Sequence, residues 1–472
     1  MLHSARLCRA IAVTSDRRPF RGSPASALSA TAGHGPVRSP LRSPLSMPPT
    51  PPTHSSVLQP LCEPVFRMLW LAWLTGNMTM WMNDVSTSWL MAQLSDGPMM
   101  VALVQACASL PLFLLGLPSG ALADLLDRKR LYAFAQFWIA VVSTAMAVLV
   151  ALGGMTAPWL LALSLANGVG LAMRFPVFSA IVPTLVPRTQ LPAALTLNAL
   201  AINVSRIAGP LLAGVVIASL GMVAVFTLNA ALSLLSCVLI LNCRTPAHLP
   251  AARRQGLMAT MRGGLAFVAQ SPPMRNVLLR AFLFFVHANG LLALLPLVAK
   301  GHQANATTYT MLLASMGAGA IASAIALPRV SDAGSRDRVV AVGIVLYALA
   351  VCAAALAPSL WLVAPALALS GGVWLCVVNT LTMSAQLVLP NGVRARGIAI
   401  YQMAIMGGSA AGAALWGQVA SQTSVQAALI ASAASSLAVQ WLSRRVSVDA
   451  EALPKHDVAT ATAATTEAAD AG

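Results

Sequence analysis

The chain reads as an all-α membrane protein of twelve transmembrane helices, built as two six-helix repeats with both termini cytoplasmic. Three observations predict this: twelve successive apolar stretches, loops that are basic on one side only, and a constant offset relating the two halves. A bilayer core about 30 Å thick needs roughly 20 helical residues rising 1.5 Å each. Stretches of that length lie near 66–94, 99–122, 131–152, 158–180, 194–219 and 221–242, then near 276–299, 307–328, 338–357, 359–383, 395–420 and 423–442. With 58% hydrophobic residues, 9% charged residues and a mean hydropathy of +0.76, a water-soluble domain is excluded.

Taking the loops alternately, one side collects all of the 29 lysines and arginines except Lys300, Arg174 and Arg206. Lys300 stands in an opposite loop, and the two arginines fall inside spans. Basic loops stay cytoplasmic, so both termini are inside and the helix count is even. The expected location is the cell (inner) membrane, multi-pass, with the lipid bilayer as first partner. The net charge of +16 is therefore a topology signal. A nucleic-acid partner would need those charges gathered on one soluble domain, which this pattern does not offer. The seven cysteines are scattered without a C-x-x-C pair, so free thiols are expected rather than a disulfide framework or a metal site. No Gly-Lys-Ser/Thr phosphate loop occurs, so no cofactor is expected and ATP does not drive the protein directly.

Residues 1–63 form a basic, Pro/Ser-rich N-terminal extension expected to be disordered. It has no apolar core of a signal peptide, and its acid-poor character resembles an organellar transit peptide. The simpler account is an over-long gene assignment with Met47 as the start. A six-helix bundle follows over 64–243, then a linker at 244–275, a second bundle over 276–443 and an Ala/Thr-rich, disordered tail over 444–472. In the linker Leu257, Met261, Leu265 and Val268 recur at helical spacing among Arg253, Arg254 and Arg262, which predicts an amphipathic helix on the inner membrane face.

A shift of 203 positions superposes landmarks of the two halves: Gly116 on Gly319, Gly168 on Gly371, Pro187 on Pro390, Gly209 on Gly412 and Gly214 on Gly417. Parallel six-helix repeats of this kind build one large class of transporters, with substrate bound near the midplane between halves that rock. The same shift pairs Asp84 with His287, the carboxylate and the histidine of the spans. An ionisable group in hydrocarbon costs roughly 2.5–3.5 kcal/mol by insertion scales, so it faces a cavity or a partner. Asp84 and His287 are thus the proton-coupling candidates, both expected on the central cavity. The structural alternatives are a pair between Asp84 and Arg206, and a neutral, packed His287.

The loop after the second span reads GALADLLDRKR, Gly120 to Arg130, and resembles the signature of the major facilitator superfamily at that place. Leu125 replaces a usual basic residue there, and Asp127 stands where glycine is common. The resemblance implies the major facilitator fold and a cytoplasmic latch. In it Asp124 meets the positive end of the eleventh helix, begun by Arg394 and Arg396, while Gly120, Arg128 and Lys129 take the remaining positions. NVSRIAGPLLAG, Asn203 to Gly214, resembles the Gly-Pro motif of exporters in this superfamily, with Arg206, Gly209, Pro210 and Gly214 forming a helix-5 kink. WMNDVSTSWL, VPTLVP and NTLTMSAQLVLPNGVRARG resemble the branch that holds bacterial enterobactin exporters and drug efflux permeases. One departure stands out. The intramembrane arginine of many proton-coupled antiporters is replaced by Ser164, before Asn167-Gly168, and Arg174 is expected to snorkel toward the cytoplasmic end.

The function expected is secondary active export of small, partly apolar molecules by alternating access, proton-coupled and monomeric. Trp81, Asn83, Asn167, Asn289, Trp374 and Asn379 are the cavity-lining candidates, an aromatic and amide set suited to amphipathic substrates. An importer or symporter of a small metabolite is the alternative within transport, and a transport-inactive sensor or scaffold the alternative outside it. An intramembrane enzyme would need clustered acids or histidines in the spans. The sequence has no H-E-x-x-H, so no catalytic residues are assigned.

Overall fold

A computed structural model describes residues 58–187, 189–243, 265–331, 335–390 and 394–443. After a 3-10 turn at Gln59–Cys62, the first bundle comprises α1 (Pro64–Leu94), α2 (Pro98–Leu125), α3 (Arg128–Ala151) and α4 (Ala157–Leu185), followed by a continuous helical element, Leu191–Asn242. That element breaks at Gly221, whose φ of 84° and ψ of −179° a side chain would resist, giving α5 (191–220) and α6 (222–242). The second bundle comprises α7 (Pro272–Gly301), α8 (Ala306–Ser331), α9 (Arg336–Leu356), α10 (Leu360–Val388), α11 (Arg394–Gln422) and α12 (Val425–Leu442). Among the described residues eight helical elements, with Leu191–Asn242 taken as one, are long and apolar enough to cross a membrane.

Local chemistry sets where these helices start. Proline occupies the first turn of α1, α2, α4, α5 and α7, where the missing N–H would have no intrahelical partner. Asp127 caps α3, its carboxylate accepting from the Lys129 and Arg130 amides at 2.9 and 3.2 Å. Ser424 caps α12 through the Ala427 amide at 3.1 Å.

The repeat read from glycine spacing reappears as packing. In the first half α1 lies on α5, α2 on α4 and α3 on α6; in the second α7 lies on α11, α8 on α10 and α9 on α12. The halves join where α2 meets α11 and α5 meets α8. Gly168 lets α4 approach the Ala108 carbonyl of α2, and Gly371 lets α10 approach the Met316 carbonyl of α8. Gly209 faces α1 at Trp81 and Met78, and Gly412 faces α7 at Val286. Gly214 opens the α5–α8 seam at Thr310, and Gly417 opens the α11–α2 seam at Ala102.

Two arginines lie deeper than the sequence pattern suggests. Arg280, counted among the basic residues of the cytoplasmic side, is buried within α7, where it pairs with Asp337 at 3.1 Å and donates to the Ser443 carbonyl at 2.9 Å. Both partners lie at helix ends, so the charge reaches back from a buried position to polar groups at the bundle's rim. Arg174 does not snorkel: it is fully buried, stacked over Trp73 at 5.3 Å. Its Nη2 stands 3.5 Å from Asn77 Oδ1. Gly76 makes the room, because a Cβ there would sit 2.5 Å from Arg174 Nη1. The N-terminal extension, the start at Met47, most of the linker and the C-terminal tail lie outside the described residues. Of the predicted amphipathic helix, 265–270 is helical and Val268 is buried.

Candidate functional site at the seam between the halves

The helix ends around 94–98 and 301–306 share the face opposite the first residues of α1 and the last of α12, here the far face. There the seam is closed by three contacts between the halves. Lys300 at the end of α7 binds Asp96 at 2.8 Å and the Ala92 carbonyl at 2.9 Å. Trp89 of α1 stacks on Tyr309 of α8, centroids 5.4 Å apart and planes 18° from parallel. The Lys300 ammonium holds the Asp96 carboxyl below the usual carboxylate range, by hydrogen bond first and charge second. Lys300, an isolated basic residue in the sequence pattern, thus closes the seam.

Deeper in the seam lies an aromatic clamp. The Arg206 guanidinium of α5 sits 5.3 Å from the Trp81 ring of α1 and 4.5 Å from the Trp374 ring of α10. Gly209 lets α5 come this close, since a Cβ there would meet Trp81 Cβ at 2.7 Å. Trp374 in turn packs edge-on against Phe285 of α7, at 5.9 Å. Arg206 Nε and Nη1 and Trp81 Nε1 are all buried without a hydrogen-bond partner among the described residues. The sequence places Arg206 in a helix kink, and the structure gives its side chain this second setting; an arginine in mid-span is the signal for it.

Asp84 follows Trp81 by three residues on α1, is half-buried, and lies near the Tyr309 hydroxyl of α8. The direct Asp84–Arg206 pair is not made among the described residues. His287 does not join Asp84. Its Nδ1 donates to the Leu283 carbonyl at 2.7 Å, and its ring lies 5.9 Å from Trp416 of α11. It lines a cavity inside the second half with Arg280, Tyr347, Ser436, Gln440 and Ser443. The physical reason is helix register. Gly412 faces Val286 whereas Gly209 faces Met78 and Trp81, so His287 matches a position at 79–82, two to five residues before Asp84 and displaced from it along and around the helix.

Of the other lining candidates, Trp81 and Trp374 come together on Arg206. Asn289 is buried and committed to packing, donating to the Ser409 carbonyl of α11 at 2.9 Å. Asn83 and Asn167 are buried with their Oδ1 atoms unpaired among the described residues, and Asn379 is exposed. Of the latch residues, Gly120 and Asp124 occupy the last turns of α2, and Arg128 and Lys129 open α3. Arg394 opens α11, and its Nε reaches the Leu389 carbonyl at 3.4 Å; Arg396 follows in the first turn. Pro210 is buried in α5 beside Gly209, and Gly214 lies a turn further on at the seam with Thr310. Among the described residues Cys107, Cys237, Cys243, Cys352 and Cys376 are free thiols.

Among the described residues twelve helices pack as two related bundles with an aromatic clamp at their seam. A family profile described as transmembrane secretion effector, within the major facilitator superfamily, matches residues 55–466. The chain belongs to that family, and it is a multi-pass membrane protein. A Bacillus subtilis (strain 168) protein, the uncharacterized MFS-type transporter YfiS, is 26% identical over 206 residues, 43% of this chain and 48% of that protein. The match thus spans about half the length of this relative. In fold the chain is similar to the nucleoside transporter NupG, with TM-score 0.64 and 14% identity over 81% of this chain and 98% of that one. A bacterial homolog of the human lysosomal transporter Spinster, inward-facing and occupied, gives TM-score 0.66 and 13% identity over 82% and 98%. The human organic anion transporter MFSD10 gives 0.60 and 16% over 80% and 98%. At these identities the likeness is one of fold.

Proposed function

We propose that the protein is a secondary exporter of small, partly apolar molecules, drug- or siderophore-like, working by alternating access across the cytoplasmic membrane. The observation that carries this reading is the seam. It is closed on the far face by Lys300, Asp96, Trp89 and Tyr309, while Asp84 stands in the same seam with no ion pair among the described residues. A membrane carboxylate in that position is suited to load and release a proton as the seam opens and closes. The family description, secretion effector, and the Gly209-Pro210 to Gly214 motif support the outward direction. In this reading all twelve helices span the bilayer, the near face with both termini is cytoplasmic, and Asp124 latches that face against Arg394 and Arg396. Asp84 carries the coupled proton. His287, enclosed in the second half, takes the packing role. The protein acts as a monomer, in the branch that resembles enterobactin exporters.

The test is the medium around a host lacking this gene, profiled by mass spectrometry against the complemented host in iron-poor growth. Loss of one secreted iron chelator from the medium, with its retention in the cells, makes the substrate a siderophore. An unchanged chelator profile moves the assignment to drug or toxic-metabolite efflux, read next by susceptibility panels. A compound that accumulates in the medium of the deletion host overturns the direction.

A further inference from the structure

We propose that Arg206, clamped between Trp81 and Trp374, is the recognition point for a carboxylate or similar planar oxyanion on an otherwise aromatic or apolar substrate. The inference rests on the reading of the seam as the transport path.

The argument is one of unmatched donors. Three donor nitrogens, Arg206 Nε and Nη1 and Trp81 Nε1, are buried together with no acceptor among the described residues. A buried donor left unpaired costs about 1–3 kcal/mol, and more when charged. The two indole faces compensate the guanidinium partly, each by about 0.5–2 kcal/mol. A ring face satisfies the charge above and below the guanidinium plane. It cannot accept the in-plane N–H bonds, which a carboxylate takes along one edge of the guanidinium, Nη2 together with either Nε or Nη1. Asp84, three residues beyond Trp81, does not fill this place. The remaining wall is aromatic, through Trp374 and the Phe285 edge packed on it.

The clamp also spans the moving boundary. Trp81 and Arg206 belong to the first half and Trp374 to the second, so an anion seated on Arg206 lies where both halves touch it. A site at this boundary is able to bind the two states of the seam differently, which transport requires.

The test uses the purified full-length protein in detergent and three probes of one shape: 2-naphthoate, 2-naphthamide and 2-naphthylmethylammonium, measured by equilibrium dialysis. Naphthoate is expected to bind at least 10-fold tighter than the amide, with the ammonium weakest. Arg206→Gln should weaken naphthoate at least 30-fold, about 2 kcal/mol, and erase the preference over the amide. Arg206→Lys should keep part of it, holding the charge and losing the fork. Each variant is checked for a monodisperse elution profile and an unchanged Tm. Should Arg206→Gln not fold, Trp374→Leu, which removes one clamp face, is expected to weaken naphthoate at least 5-fold. Wild type that binds none of the probes, or binds the amide or ammonium as tightly as naphthoate, overturns the proposal, as does a folded Arg206→Gln with the preference intact. An intact naphthoate preference beside a compound that accumulates in the medium of the deletion host would instead sink the export reading alone.

Discussion

Gly214 offers the sharpest test of how the halves are held. It lies on α5 against Thr310 of α8, and a Cβ there would meet Thr310 Cβ at 2.7 Å and Cγ2 at 2.8 Å. Carbon atoms are comfortable at about 3.5–4.0 Å, so Gly214→Ala has to move the helices apart by roughly 1 Å. Thr310 cannot swing away freely, being buried and bonded through Oγ1 to the Thr307 carbonyl at 2.8 Å. Overpacking of this kind costs about 1–3 kcal/mol. The strain falls on the seam, so it acts on the closed state and not on the open one. A bias of that size shifts the ratio of open to closed far-face states by about 5- to 150-fold. The assay is the distance between spin labels on Leu94 and Gln303, one from each half at the far face, in a cysteine-free background. Gly214→Ala should lengthen and broaden that distance, and Gly417→Ala, whose Cβ would meet Ala102 Cβ across the other seam at 2.5 Å, should do the same. Gly209→Ala strains contacts within the first half, against Trp81 Cβ at 2.7 Å, and should lower Tm without moving the labels. An unchanged label distance in Gly214→Ala, or a change in Gly209→Ala alone, refutes the reasoning.

Three further predictions concern charge. Asp84→Asn is expected to abolish efflux driven by a pH gradient while the protein still reaches the membrane; normal gradient-driven export by that variant would remove Asp84 from coupling. Asp124→Asn should weaken transport by freeing the near-face latch, and crosslinking that finds the opening of that face unchanged counts against the latch. The Asp96 carboxyl is held low by Lys300, so the contribution of that pair is present above the ordinary aspartate pKa of about 3.9 and is lost only as pH falls through the lower, folded value. In Asp84→Asn, which removes the proposed coupled proton, far-face opening read by the same labels should therefore be flat between about pH 5 and 8. Adding Lys300→Met should raise it at every pH in that window, and a transition near neutral pH that persists in Asp84→Asn and vanishes with Lys300→Met would refute the pH range given for this pair.

Much of the architecture was legible before any coordinates. Apolar stretch length fixes where helices form, because a bilayer leaves the backbone no other way to satisfy its hydrogen bonds. The division between stretches 194–219 and 221–242, which the structure makes at Gly221, and the two-fold repeat were also readable, since Gly168 and Gly371, or Gly214 and Gly417, mark the same close crossings in both halves. Side-chain direction was not. A single offset carried Asp84 onto His287, but α7 is displaced against α11 by two to five residues relative to α1 on α5, and at about 100° per residue such a shift moves a side chain along and around its helix. Arg174 shows the same limit: spacing placed it near a helix end, and only the neighbours Trp73, Asn77 and Gly76, from another helix, made that position a buried one.

Composition and periodicity along the chain thus decide that it is a helical membrane protein of two repeats, because those properties depend on local length and polarity. Which charges meet depends on helix register and on contacts more than a hundred residues apart, such as Arg206 with Trp81 and Trp374 or Lys300 with Asp96. No local pattern encodes those distances. The seam and its unpaired donors belong to the tertiary structure, where packing two bundles brings an arginine, two indoles and an aspartate to one boundary.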